Sequence, residues 1–259
     1  MEEIHFGLLA FLMAAGFAAA FIDAVVGGGG LISIPALLFT GLSPAVALGT
    51  NKLAATMGAL TSTISFLRSG KIHTKLVLKL LPLSIIGSAI GVYIVQLIPS
   101  EFLKPLILVL LILVTIYTLL KKDWGMESTF RQLSFKMALF IISAAFVIGF
   151  YDGFLGAGTG SFLLFAFLLL GFDFVQAAGN AKALNFGSNL AALLTFIAFG
   201  SVNFFYGIPM GLAMVLGALA GSRVAIKSGA SYVKVLFIMI TVLLIGKSFW
   251  DYMQTRLLS

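Results

Sequence analysis

Two aspartates and two lysines carry most of the chemistry this chain can offer. Asp23 follows the apolar run Gly16-Phe-Ala-Ala-Ala-Phe-Ile and precedes Ala-Val-Val-Gly27-Gly28-Gly29-Gly30. Asp152 follows Ala145-Phe-Val-Ile-Gly-Phe-Tyr and precedes Gly-Phe-Leu-Gly156-Ala-Gly158-Thr159-Gly160. A charge at the centre of a membrane costs about 2.5–3.5 kcal/mol on insertion scales, so acids in such segments are functional candidates. Two roles fit them. Desolvation favours the neutral carboxyl, which suits a group that carries a proton or meets a coupling cation. The other role is structural: the carboxylate accepts hydrogen bonds from the amides that a helix break frees.

The glycine runs offer the complementary chemistry. Gly28, Gly29 and Gly30, with Gly158, Thr159 and Gly160, can present backbone amides at the start of a following half-helix, where the helix dipole attracts anions. Ser33, Thr159 and Ser161 add hydroxyl donors. The plainer reading is packing, since small residues let membrane helices approach closely. Gly156 to Gly160 is not a nucleotide-binding loop, because it lacks the Gly-Lys-Ser/Thr ending and any βαβ setting. Lys52 closes Gly49-Thr50-Asn51-Lys52, and Lys182 closes Gly179-Asn180-Ala181-Lys182. Lysines near helix ends can snorkel to an interface. Their polar neighbours point to something more specific, and Asn185 and Asn189 extend the cluster one and two turns further. Two ammonium groups, side-chain amides and helix N-termini together describe an anion site on both sides of a pseudo-two-fold axis.

The elements that must position these residues are membrane helices. The 259 residues are 61% hydrophobic and 10% charged, with a mean hydropathy of +1.14. Soluble domains run near 45–50% apolar and about 25% charged. Positions 24–51, 80–100, 153–172 and 183–222 hold no Asp, Glu, Lys or Arg, and a spanning helix needs about 20 mostly apolar residues. Spans fall at 6–26, 45–67, 76–98 and 102–120, then at 135–155, 175–199, 204–223 and 233–250. Short apolar pieces at 31–42 and 161–170 follow the glycine breaks. They are too short to cross a 30 Å core as straight helices and read as half-helices or re-entrant segments. The expected class is therefore an all-α polytopic membrane protein of two homologous halves, each with four long helices and one short half-helix. Residues 1–121 form the first repeat, 122–134 a cytoplasmic linker and 135–259 the second repeat, together one transmembrane domain.

The duplication rests on polar and glycine matches at an offset of 129 around the breaks and 130 after them: Asp23/Asp152, Gly27/Gly156, Gly49/Gly179, Lys52/Lys182, Gly87/Gly217 and Gly91/Gly221 among others. Broken helices at matching places of two halves point to a transporter's binding site. The loops give the orientation. Arg68, Lys71, Lys75 and Lys79 make one loop basic, while its partner at 200–203 is uncharged; 98–101 lacks positive charge, while its partner region holds Arg223, Lys227 and Lys234. Opposite basic bias implies inverted repeats with the 68–79, 121–136 and 223–234 loops in the cytoplasm. On this reading each break and short segment carries the chain across the bilayer. Parallel halves with two re-entrant loops are the alternative, and they leave a basic loop outside.

Other classes fit less well. The net charge of +7 comes from lysines and arginines in short loops between apolar segments, which is a topology signal rather than a nucleic-acid surface. With no cysteine, thiol catalysis and cysteine metal sites are excluded. His5 and His73 read as loop residues, so no metal or other cofactor is expected. The N-terminus lacks a basic n-region, and its first apolar segment recurs later, which argues against a cleaved signal. No nucleophile–base pair marks an intramembrane enzyme.

Asp23-Ala-Val-Val-Gly-Gly-Gly-Gly30, Gly49-Thr-Asn-Lys52 and their second-half counterparts resemble the TauE/SafE family of membrane transporters, and the resemblance covers almost the whole chain. It implies a multi-pass carrier of the cytoplasmic (inner) membrane that moves sulfite, sulfoacetate or other organosulfonate anions. An anion channel of the same architecture is the alternative. The two halves depart from each other at Asn180-Ala181 against Thr50-Asn51 and at Thr159 against Gly30. Substrate partners are thus a small organosulfur or sulfite anion within a lipid bilayer, driven by ion gradients, with homo-oligomer assembly left open.

Overall fold

The computed structural model describes residues 6–103, 106, 109, 128–130 and 134–228. The helices are α1 (Phe6–Val26), α2 (Gly30–Phe39), α3 (Pro44–Arg68), α4 (Thr74–Gln96), α5 (Phe135–Phe154), α6 (Thr159–Leu169) and α7 (Phe174–Ala198), followed by α8 (Phe204–Ser228). No strand occurs among the described residues. The spans expected at 102–120 and 233–250, and most of the linker, lie outside them.

Each helix in the order α1 to α4 has a counterpart in α5 to α8, and the caps of α4 and α8 repeat. His73 Nδ1 accepts from Leu76 N at 3.3 Å to start α4, and Asn203 Oδ1 accepts from Tyr206 N at 3.0 Å to start α8. The helices α1, α4, α5 and α8 are long and apolar enough to cross a membrane. At 25 residues each, α3 and α7 are as long. They spend their inward faces on buried polar groups instead, including Asn51, Lys52 and Thr56 on α3 and Asn180, Lys182 and Ser188 on α7.

Those two helices pack against each other antiparallel. Gly49, early in α3, meets Phe196 late in α7, and Thr63 Oγ1 donates to the Lys182 carbonyl at 3.1 Å. Around them, α4 and α5 lie parallel and make the most extensive contact recorded between two helices. Gly87 and Gly91 face the Phe146 and Phe150 carbonyls, while Gly149 and Gly153 face Ser84 and Ser88. Without water to drive helices together, close backbone approach through small residues is what membrane helices use. The same contact recurs with the halves exchanged: Gly217 and Gly221 of α8 meet the Phe17 and Phe21 carbonyls of α1.

The short helices follow the glycine breaks as half-helices, and each turns back. Gly29 packs on the Ala19 carbonyl and the Asp23 Cβ, and the Phe39 ring sits 5.8 Å from Phe11, so α2 runs back along α1. In the second half the Gly171 carbonyl, just past α6, accepts from Thr129 N at 2.7 Å and Phe130 N at 2.9 Å, just ahead of α5. Reversal requires left-handed backbone, which Gly27 and Gly28 (φ 79° and 91°) and Gly156 and Gly158 (φ 81° and 77°) supply. Each break and its short helix thus form a hairpin that turns the chain back toward the end where the preceding helix began.

Candidate functional site

The two hairpin tips meet each other. A Cβ on Gly30 would stand 2.9 Å from Ala157 Cα, and one on Gly160 would stand 2.8 Å from Gly27 Cα. Only glycine at these places lets the breaks touch. They sit level with Asn51 and Ala55, two to three turns into α3, and together with these they wall a cavity of about 30 Å³. Its polar wall comprises Asp23, Asp152, Ser33, Asn51, Asn185 and Asn189, with Gly29, Gly30, Gly156 and Gly160 at the tips. Its apolar wall includes Ala19, Ala55, Ala59 and Met214. A volume of this size holds about two water molecules.

Both lysines are buried, at 1% exposure each, and both are ion-paired to the aspartate of the other half. Lys52 Nζ donates to Asp152 Oδ1 at 2.8 Å and to Asn189 Oδ1 at 3.0 Å. Asp152 Oδ2 accepts from Ser188 Oγ at 2.6 Å. Lys182 Nζ lies 2.6 Å from Asp23 Oδ2, a close ion pair without the alignment of a directed hydrogen bond. Asp23 Oδ1 accepts from Gly29 N at 3.2 Å, so this carboxylate also ties its own break. The second break is tied by Tyr151, whose hydroxyl donates to the Ala157 carbonyl at 2.7 Å.

Of the residues expected to bind substrate, Gly29, Gly30, Asn51, Gly160 and Asn185 line the cavity. Lys52 and Lys182 stand behind it, their charges met by Asp152 and Asp23. The remaining six serve as ties or turns. Thr50 Oγ1 accepts from Asn203 N at 2.9 Å and Asn180 Oδ1 from His73 N at 2.7 Å, clasping the start of each outer helix. Thr159 Oγ1 donates to the Gly156 carbonyl and Ser161 Oγ to the Val26 carbonyl. Gly158 holds the left-handed cap of α6, and Gly28 abuts Ser161. The sequence reading had treated the site as cationic; paired acids bring the formal charge of the four groups to zero. It also missed Ser188, whose spacing from Asn185 and Asn189 puts all three on one helix face, and the small residues that leave the cavity open.

The profile of the family described as sulfite exporter TauE/SafE matches residues 12–248. The chain is 40% identical over 246 residues to "Probable membrane transporter protein ORF9" of a Sinorhizobium species, covering 94% of this chain and 93% of that one. It is 38% identical to "Probable membrane transporter protein" of Haemophilus influenzae, covering 96% and 97%. It is 36% identical to "Probable membrane transporter protein YfcA" of Escherichia coli K12, covering 94% and 90%. No solved structure matches. A paired-charge cavity between two broken helices, in a duplicated chain with this coverage of the family, leads to one assignment: the protein is a membrane transporter belonging to the sulfite exporter TauE/SafE family.

Proposed function

We propose that the chain is a secondary transporter of small sulfur-containing anions, such as sulfite, sulfoacetate or another organosulfonate, built as two inverted repeats in the cytoplasmic membrane. The observation that carries this reading is the exchange of ion pairs. Lys52 of the first half meets Asp152 of the second, and Lys182 of the second meets Asp23 of the first. An exchange of this kind is what a two-fold axis between homologous halves generates. The antiparallel run of α3 along α7 supports an axis in the membrane plane, as does the opposite basic bias of the matched loops. The cavity lies on that axis region, with the N-terminal ends of α2 and α6 directed at it, a setting that favours negative ligands.

A cavity near 30 Å³ is too small for an organosulfonate, so taking one up requires it to widen, as it would in a carrier that alternates between two forms. Purified protein in liposomes tests this with labelled sulfite, sulfoacetate and taurine. A carrier gives saturable uptake that speeds up when unlabelled anion is trapped inside. Lys182→Gln is expected to cut uptake at least about ten-fold, a loss near 1.4 kcal/mol. Flux linear in concentration and indifferent to internal anion would indicate a channel instead. Undiminished uptake in both Lys52→Gln and Lys182→Gln would remove these lysines from the site.

A further inference from the structure

The two half-sites are copies in sequence but not in construction. Around Lys52 both members of the ion pair are fully engaged. The ammonium has two hydrogen-bond acceptors, Asp152 has Lys52 on one oxygen and Ser188 on the other, and the adjacent Tyr151 is bonded to Ala157. Asp152 is 1% exposed. Around Lys182 the bonding is sparse. Among the described residues Asp23 is its one acidic partner, no side-chain amide or hydroxyl joins the pair, and the Asp23 side chain is 25% exposed. The other oxygen of Asp23 accepts from Gly29 N at 3.2 Å.

The cavity draws on both halves, but its wall is uneven. Ala19, Ser33 and Gly58 line it, whereas the residues 129 or 130 positions later, Ile148, Phe162 and Ser188, do not. The space adjoins both aspartates. Gly160 in its wall lies beside Lys182, where a Cβ would stand 3.1 Å from both Lys182 Nζ and Asp23 Oδ1, and Gly156 lies beside Lys52 in the same way.

We propose that the halves have divided the work: Lys182 is the ammonium that takes the anion, Asp23 is its displaceable counter-ion and proton carrier, and the Lys52–Asp152 pair is a fixed strut. This rests on the anion-transport reading above and assigns its parts. The exchange balances. A proton from the aqueous phase bonds to an Asp23 carboxylate oxygen, Asp23 becomes neutral, and a monoanion replaces it beside Lys182. On release the proton leaves, and Asp23 pairs with Lys182 again. The charged groups facing Asp23 are Lys182 from α7, Asp152 from α5 and, behind Asp152, Lys52 from α3. A buried ammonium with no partner is strongly disfavoured. Lys182 therefore moves either with Asp23 or with the anion and its proton, which couples the two and suppresses leak.

Two measurements in reconstituted protein test the division. First, uptake of labelled sulfite is followed in Asp23→Asn and Asp152→Asn from a medium acidic enough for the hydrogensulfite monoanion to prevail. The account expects Asp23→Asn to keep anion exchange while losing pH-gradient-driven uptake at least about ten-fold, because its Lys182 stays free for an anion and cannot return empty. The double variant Asp23→Asn with Lys182→Gln leaves no lone charge and serves as the folding control. Normal driven uptake in Asp23→Asn, the exchange-only pattern in Asp152→Asn instead, or wild-type uptake driven by a sodium gradient and not by a pH gradient, would overturn the proposal. Second, Asp23→Cys and Asp152→Cys are treated with methyl methanethiosulfonate, which needs no transported substrate. Position 23 is expected to react at least about ten-fold faster, and equal rates would overturn the division of the half-sites. A wild-type protein that moves none of the anions yet shows unequal labelling would refute the transport reading and leave the division of the half-sites standing.

Discussion

Lys52 and Lys182 are equally buried and equally far along their helices, yet their surroundings have diverged. The Lys52 half-site has an amide, a serine hydroxyl and a tyrosine-tied loop gathered around the ion pair. The Lys182 half-site has an open wall of alanine and glycine beside a partly exposed acid. A duplicated membrane protein begins with two identical sites at its axis. Filling one with hydrogen bonds and leaving the other less bonded is what the proposed division into a support and a moving part requires. Strain and incomplete bonding at one place are tolerable when the rest of the structure over-determines the fold.

The sharpest way to break the comparison is through stability. Asp152→Asn leaves the Lys52 charge buried with only Asn189 beside it, and removing one partner of a buried pair costs about 3–5 kcal/mol. Asp23→Asn combined with Lys182→Gln, which strands no charge and removes a part-exposed carboxylate, is expected to cost less than about half of that. Thermal unfolding in detergent, followed by loss of the monodisperse elution peak, ranks the two. Equal midpoints would erase the distinction between support and moving part.

A smaller effect sharpens the comparison at the helix starts. Asp173 caps α7 by accepting from Val175 N and Gln176 N at 2.9 Å each, whereas its counterpart Ser43 makes no side-chain cap bond to α3. Asp173→Ala is expected to cost about 1 kcal/mol and Ser43→Ala only a few tenths. The same unfolding assay checks it, and a larger loss at Ser43 would contradict the observed bonding.

Much of this was legible in the residues. Hydropathy located the described long helices within a residue or two, except that α8 runs five residues beyond its expected end, because a membrane leaves few other ways to satisfy a backbone. Register matching paired Asp23 with Asp152 and Lys52 with Lys182. It could not show that each lysine meets the opposite aspartate, since partner choice depends on how α3 and α7 cross. Nor did it show that α2 doubles back on α1. Gly27 and Gly28 announce a reversal or a bend, and the direction of exit is decided by Gly29 seating on Ala19. The ties made by Thr50 and Asn180 were hidden for a similar reason: a polar residue beside a lysine reads as a ligand until the loop it clasps is placed.

The most direct test of the exchanged, inverted halves is the sidedness of two matched positions. Ser69 ends α3 and Phe199 ends α7, both exposed and 130 positions apart in a chain without cysteine. Each is replaced singly by cysteine and treated in intact cells and in inverted vesicles with a membrane-impermeant maleimide. The account predicts labelling of Ser69→Cys only from the cytoplasmic face and of Phe199→Cys only from the outer face. Labelling of both from the same face would contradict it.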